Sequence, residues 1–146
     1  MSQQTSSPAV SQTILFVEDE AIVRLAMADY LRDCGYKVLE VNDADEAVAV
    51  LRSDVQIDLV FTDVQMPGTM NGFELARWIR ANRPGMPVIL TSGIDRLADR
   101  AADLCEEGPF LRKPYDRQQL LARIRRALEK ARRQGNMRPN DVQLAG

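Results

Sequence analysis

Short apolar runs alternate with helical patterns along this chain, and that alternation constrains the fold more tightly than any other feature. "TILFV" (13–17) is a continuous apolar run. The segment from Ala21 to Cys34 then carries Ile22, Leu25, Ala26, Tyr30 and Leu31 on helical spacing and stops at Gly35, a usual helix C-cap. "YKVLEV" alternates as a strand does, and Ala44, Ala47, Val48 and Leu51 mark a second helix. "IDLVFT" reads as a buried strand, followed by a Pro-Gly turn and a third helix through Phe73, Leu75, Ala76, Trp78 and Ile79 that ends before Pro84. "MPVILT" is a fourth strand, and residues 96–106, with Leu97, Ala101 and Leu104, form a weak alanine-rich fourth helix. "PFLRK" is a short fifth strand, and Asp116 opens a last helix that turns Leu120, Leu121, Ile124 and Leu128 inward.

Parallel strands need crossover connections of one hand, so five strand–helix pairs in succession predict an α/β, doubly wound fold: a five-stranded parallel sheet with five helices on its two faces. A chain of 146 residues is about one domain, expected over 13–133, with flexible ends at 1–12 and 134–146. The start, "MSQQTSSPAVSQT", lacks the basic and apolar regions of a leader, and no apolar run reaches the roughly 18 residues of a membrane span, which predicts a cytoplasmic protein without membrane contact. Cys34 and Cys105 have no second Cys or His nearby in sequence to complete a metal site and read as buried helix-face residues. The chain has no histidine, which removes Ser-His and Cys-His catalysis and any phosphoryl group carried on its own imidazole. The net charge of −2 hides two poles: residues 110–138 hold ten Lys or Arg against Asp116 and Glu129, a local +8, leaving −10 elsewhere.

Function in such sheets gathers at the carboxyl ends of the strands. Those ends carry Glu18, Asp19 and Glu20 after the first strand, Asp63 after the third, Thr91-Ser92-Gly93 after the fourth and Lys113-Pro114 after the fifth. Asp63 closes the apolar run "LVFTD", where a carboxylate is costly unless water, a cation or a chemical task accounts for it. Several carboxylates in one crevice repel one another unless a hard cation lies between them, and Mg²⁺ suits oxygen ligands shared with a phosphate. A lysine and a hydroxyl at the same rim could hold phosphoryl oxygens, and a carboxylate can itself be the nucleophile, giving an aspartyl phosphate.

With "VEDE", "FTDVQMPG", "ILTSG" and "LRKPY" in this order and spacing, the chain resembles the response-regulator receiver domains of bacterial two-component signalling from about Thr13 to Arg132. The resemblance implies the flavodoxin-like strand order 2-1-3-4-5. It implies Asp63 as phosphoacceptor, Glu18 and Asp19 as the acidic pair that holds Mg²⁺ with it, and Gln65 as a ligand through its backbone carbonyl. Ser92 resembles the switch hydroxyl, Lys113 the cation that pairs with the phosphoryl group, and Phe110 the switch aromatic; the Lys113–Pro114 bond is expected to be cis. The implied output surface is the face of the fourth helix, fifth strand and fifth helix. The turn "MPGTMNG" is one residue longer than the commonest family form. An apolar Ile94, two beyond Ser92, predicts slow to moderate self-dephosphorylation.

The resemblance implies a stand-alone regulator, phosphorylated by a sensor histidine kinase or histidine phosphotransfer protein and acting on a downstream protein target. A phosphate shuttle or sink in a phosphorelay, a phosphate-independent binding module and a piece of a longer protein stay open, as does a homodimer. No enzymatic activity is expected beyond self-phosphorylation and self-dephosphorylation. The haloacid-dehalogenase phosphatases also use a carboxylate nucleophile, but carry a second Asp two residues on, where this chain has Gln65. A flavodoxin-type FMN site needs a hydroxyl- and Gly-rich loop after the first strand, whereas "VEDEA" repels phosphate unless metal intervenes. Direct nucleic-acid binding through "RIRRALEKARRQ" is disfavoured, because its apolar spacing buries one face and a single terminal helix leaves no room for a helix-turn-helix.

Overall fold

The computed structural model describes residues 11–93 and 111–135. In chain order the elements are β1 (Thr13–Val17), α1 (Ala21–Asp33), β2 (Lys37–Val41), α2 (Ala44–Arg52), β3 (Leu59–Asp63), α3 (Gly72–Asn82), β4 (Val88–Ser92), β5 (Leu111–Arg112) and α4 (Arg117–Arg133). The helix expected over 96–106, together with Ile94, Cys105 and Phe110, lies outside the described residues.

All strand pairs are parallel, and the sheet order is β2-β1-β3-β4-β5. Chain progression reverses between β1 and β3, and a crevice opens above their carboxyl ends at such a switch point. Val17 and Asp63 end those two strands. The pleat sends alternate residues to opposite faces. Leu15, Val17, Val60 and Leu90 pack with Ala47, Leu51, Phe73 and Ile79 of α2 and α3. Ile14, Phe16, Phe61 and Ile89 pack with Ala28, Leu31, Leu120 and Ile124 of α1 and α4. Phe16 and Phe61 stack with centroids 4.7 Å apart and are fully buried. Removing each such ring from water contributes roughly 1.5–3 kcal/mol.

Local chemistry fixes where the helices begin and end. Asp43 caps α2 by accepting from the Glu46 N–H, and reciprocal capping boxes start α3 (Asn71 with Glu74) and α4 (Asp116 with Gln119). α1 stops where Gly35 takes φ +103°: Gly35 N–H donates to Arg32 O and Tyr36 N–H to Leu31 O, the paired bonds of a left-handed cap. Cys34 is half-buried at that helix end.

α1 presents a different arc to the sheet from the one its apolar spacing suggests. Ile22 is 84% exposed, Leu25 51%, and Ala26 is also exposed. Ala28 and Leu31 are buried, and Arg24 lies on their side of the helix, one turn before Ala28. Counting apolar residues missed this arc because one of its positions is a cation. Within α4, Leu120, Ile124 and Leu128 are buried as expected, while Leu121 is half-buried.

Candidate functional site

The carboxyl end of the sheet brings four of the expected residues together. Asp63 is 5% exposed; its Oδ2 accepts from Lys113 Nζ at 2.6 Å and its Oδ1 from the Gln65 N–H at 3.1 Å. Glu18 is 1% exposed, its Oε2 accepts from the Glu20 N–H at 3.1 Å, and its Oε1 lies 3.9 Å from Lys113 Nζ. That Oε1 is buried and has no hydrogen-bond partner among the described residues. Asp19 is exposed at the rim, and one carboxylate oxygen from each of Glu18, Asp19 and Asp63 lies within 4.8 Å of the others.

Backbone packing holds Asp63 from behind. Val64 N–H donates to Thr91 O at 2.9 Å, extending the β3–β4 pairing, and Gly72 N–H returns to Val64 O at 2.8 Å. The α3 start approaches so closely that a Cβ on Gly72 would collide with the Asp63 carbonyl oxygen and lie 2.7 Å from Val64 Cα. The intervening turn accommodates its length through Gly68, at φ +102°, and through Thr69, whose hydroxyl donates to Asp45 Oδ2 at 3.1 Å. Ser92 is buried at the end of β4, and its carbonyl accepts from the Lys113 N–H at 3.1 Å. The Lys113–Pro114 peptide is cis, as expected. Gln65 is exposed, and its N–H donates to the Asp63 carboxylate.

Burial raises the Glu18 carboxyl above its ordinary value; the Glu20 N–H pulls it down, Asp63 raises it, Lys113 lowers it and Asp19 raises it. Burial also works against the Lys113 ammonium, but the hydrogen bond and charge of Asp63, with Glu18 and Glu20 behind, more than offset it and hold its pKa up. Tyr115 lies edge-on to Phe61 with centroids 5.9 Å apart, and its buried hydroxyl has no partner among the described residues. Burial, then the charges of Glu18 and Asp63, push that hydroxyl up, so it stays protonated.

Glu18, Asp19 and Asp63 each bring one hard carboxylate oxygen within 4.8 Å of the others, and Glu18 also carries a buried oxygen without a partner among the described residues; this donor set fits Mg²⁺. Sequence reasoning found every one of these acids because they end strands. It missed Arg24, whose guanidinium Nη1 donates to the Glu18 carbonyl at 2.9 Å; an Arg at i and small or apolar residues at i+4 and i+7 is the signal that could have revealed it.

The response regulator receiver domain family matches residues 14–125. The probable transcriptional regulatory protein TcrX of Mycobacterium tuberculosis is 30% identical over 119 residues, covering 81% of this chain and 50% of that protein. The chain thus spans about half, or less, of the length of the curated relatives it matches, 50% of TcrX and 24% of the response regulator protein FleR of Pseudomonas aeruginosa. A crystal structure of a response regulator receiver protein from Sinorhizobium medicae superposes with a TM-score of 0.76 and 31% identity, over 84% of this chain and 98% of that one. The response regulator TrrA of Thermotoga maritima, solved in complex with Mg²⁺-BeF, superposes with a TM-score of 0.70 and 25% identity, over 78% of this chain and 96% of that one. Among the described residues no helix is long and apolar enough to cross a membrane. On fold, sequence and acid cluster alike, the chain belongs to the response regulator receiver domain family.

Proposed function

We propose that residues 13–133 act as one phosphoacceptor unit in which Asp63 takes a phosphoryl group from a phosphohistidine. The observation that carries this reading is the placement of a buried acceptor carboxylate between an acidic cluster and the Lys113 ammonium, 2.6 Å from Asp63 Oδ2. An Asp63 carboxylate oxygen attacks phosphorus, the bond from phosphorus to the donor nitrogen breaks, and the imidazole leaves with the electron pair. The product on this chain is an acyl phosphate. The donor belongs to a sensor histidine kinase or histidine phosphotransfer protein, since this chain has no histidine.

Glu18, Asp19, Asp63 and the Gln65 carbonyl would hold Mg²⁺, which supplies positive charge between the acids and the phosphoryl oxygens. Lys113, already seated on Asp63, pairs with a phosphoryl oxygen once the carboxylate charge is consumed. The Ser92 hydroxyl donates to another. These shifts bias the surface of β5 and α4, which a downstream protein partner reads. TrrA, complexed with Mg²⁺-BeF, supports the cation and the phosphoryl-like ligand by likeness. The unit works in the cytoplasm as a stand-alone regulator, a phosphorelay shuttle or sink, or the receiver of a longer protein.

The test is amide NMR on labelled protein titrated with Mg²⁺ and then with beryllofluoride. The reading predicts Mg²⁺-dependent shifts at Asp63, Ser92 and Lys113 and along β5 and α4, all absent in Asp63→Asn. Unchanged spectra on adding both reagents refute it.

A further inference from the structure

The loop that carries Glu18, Asp19 and Glu20 puts three consecutive acids at the start of α1, where they repel one another, and Glu20 as N-cap makes no side-chain cap bond. Two local ties hold it: Glu18 N–H to Val41 O at 3.2 Å, and Glu20 N–H to Glu18 Oε2 at 3.1 Å. A third tie comes from the helix itself. Arg24 Nη1 donates to Glu18 O at 2.9 Å and to Asn42 Oδ1 at 2.7 Å, while Nε donates to Glu40 Oε1 at 3.3 Å.

The acceptors around this guanidinium are themselves fixed. Glu40 Oε2 pairs with Arg32 Nη2 at 3.0 Å, and the Asn42 N–H donates to Glu46 Oε1 at 2.6 Å. The Arg24 side chain keeps only 15% of its surface exposed and Glu40 18%. A planar fork held by three acceptors has little freedom left. It therefore clamps the end of β1 to the β2–α2 turn across the mouth of the acid loop.

We propose that Arg24 is a positioning residue for the acid site, with Asn42 as its orienting partner. By fixing the Glu18 carbonyl it fixes the plane of the Glu18–Asp19 peptide, and with it the directions of the two carboxylates on either side. The inference rests on the reading of these acids as holders of a divalent cation; Arg24 itself touches neither cation nor phosphoryl group. Groups that orient metal ligands in this way are typically worth 10–100-fold in affinity. Charge alone predicts the opposite sign, because deleting a cation beside an acidic cluster strengthens its attraction for a divalent ion. The two contributions are thus separable by the direction of the change.

The experiment is isothermal titration of MgCl₂ into the wild type, Arg24→Met, Arg24→Lys and Asn42→Ala, each checked for fold by circular dichroism. Phosphorylation by acetyl phosphate is followed in parallel as a function of Mg²⁺. Arg24→Met is expected to weaken Mg²⁺ binding about tenfold while the phosphorylation rate recovers at saturating Mg²⁺. Arg24→Lys should recover part of the loss, and Asn42→Ala should show a smaller one. A folded Arg24→Met that binds Mg²⁺ as tightly as the wild type, or more tightly, overturns the proposal. Should Arg24→Met fail to fold, unchanged affinity in both Arg24→Lys and Asn42→Ala overturns it instead. A wild type that neither binds Mg²⁺ nor takes phosphate overturns the reading of the site itself, which is a distinct result.

Discussion

Replacing Lys113 by methionine keeps the length of the side chain and removes the cation that faces Glu18 and Asp63. At an effective dielectric of about 20, the 2.6 Å contact with Asp63 is worth about 6 kcal/mol of Coulomb attraction and the 3.9 Å approach to Glu18 about 4 kcal/mol. The two carboxylates, with oxygens within 4.8 Å, repel by about 3.5 kcal/mol or more on the same scale, and that repulsion survives the substitution. Desolvation of the ammonium offsets much of the gross attraction, and its side chain keeps 30% of its surface in water. The expected net loss is therefore about 3 kcal/mol, the lower end of the range for breaking a buried pair. For a domain of this size that is a fall of roughly 10 °C in Tm.

The pH dependence has a definite sign. Glu18 is raised in the folded chain from an ordinary value of 4.5, so its contribution to stability is present below that value and is lost as pH rises through the folded one. Lys113 is one of the groups pulling Glu18 down, so Lys113→Met pushes it further up and widens that window. The deficit of the variant is largest at neutral pH and closes toward about pH 4. Saturating Mg²⁺ should then stabilise the variant more than the wild type, because no ammonium competes for Asp63. The assay is thermal unfolding at several pH values with and without Mg²⁺. A variant that melts within about 2 °C of the wild type at neutral pH without Mg²⁺, or whose deficit grows on acidification, refutes the reasoning.

Gly72→Ala drives a Cβ into the Asp63 carbonyl and should cost about 1–3 kcal/mol, read as a lowered midpoint in urea with an unchanged slope; an unaltered midpoint would mean that α3 can move away freely. Asp116→Ala removes half of the capping box of α4 and should cost about 1 kcal/mol, with Asp116→Asn restoring most of it in the same assay; a substitution without effect would show that Gln119 alone suffices. Glu18→Gln removes a buried charge with an unpartnered oxygen, so without metal it should be at least as stable as the wild type at neutral pH while gaining less from Mg²⁺. A variant less stable than the wild type without Mg²⁺ would contradict that account of Glu18.

The sheet and the acids at its carboxyl end were legible because each rests on short-range signals, whereas the strand order came only with the family resemblance. Apolar runs of strand length, Gly35 and Pro84 as stops, and Asp116 as a start are all local. The implied order 2-1-3-4-5 is the observed one. What escaped was tertiary. Ile22 and Leu25 look like core by spacing but stand in solvent, since the inner arc of α1 is set by Arg24 reaching the Glu18 carbonyl and Glu40. Likewise nothing in "TDVQ" tells that the Gln65 N–H, rather than its side chain, bonds Asp63 Oδ1. The closeness of Gly72 to the Asp63 carbonyl is visible only once α3 is docked.

The central claim is that Asp63 is the acceptor. Its most direct test is intact mass after incubation with Mg²⁺ and acetyl phosphate, comparing the wild type with Asp63→Asn, followed by borohydride reduction of the acyl phosphate to mark the phosphorylated residue. The account predicts a single added phosphoryl group that requires Mg²⁺, disappears in Asp63→Asn and maps to position 63. A phosphoryl group that persists in Asp63→Asn, or no addition to a wild type that is folded and supplied with Mg²⁺, would contradict it.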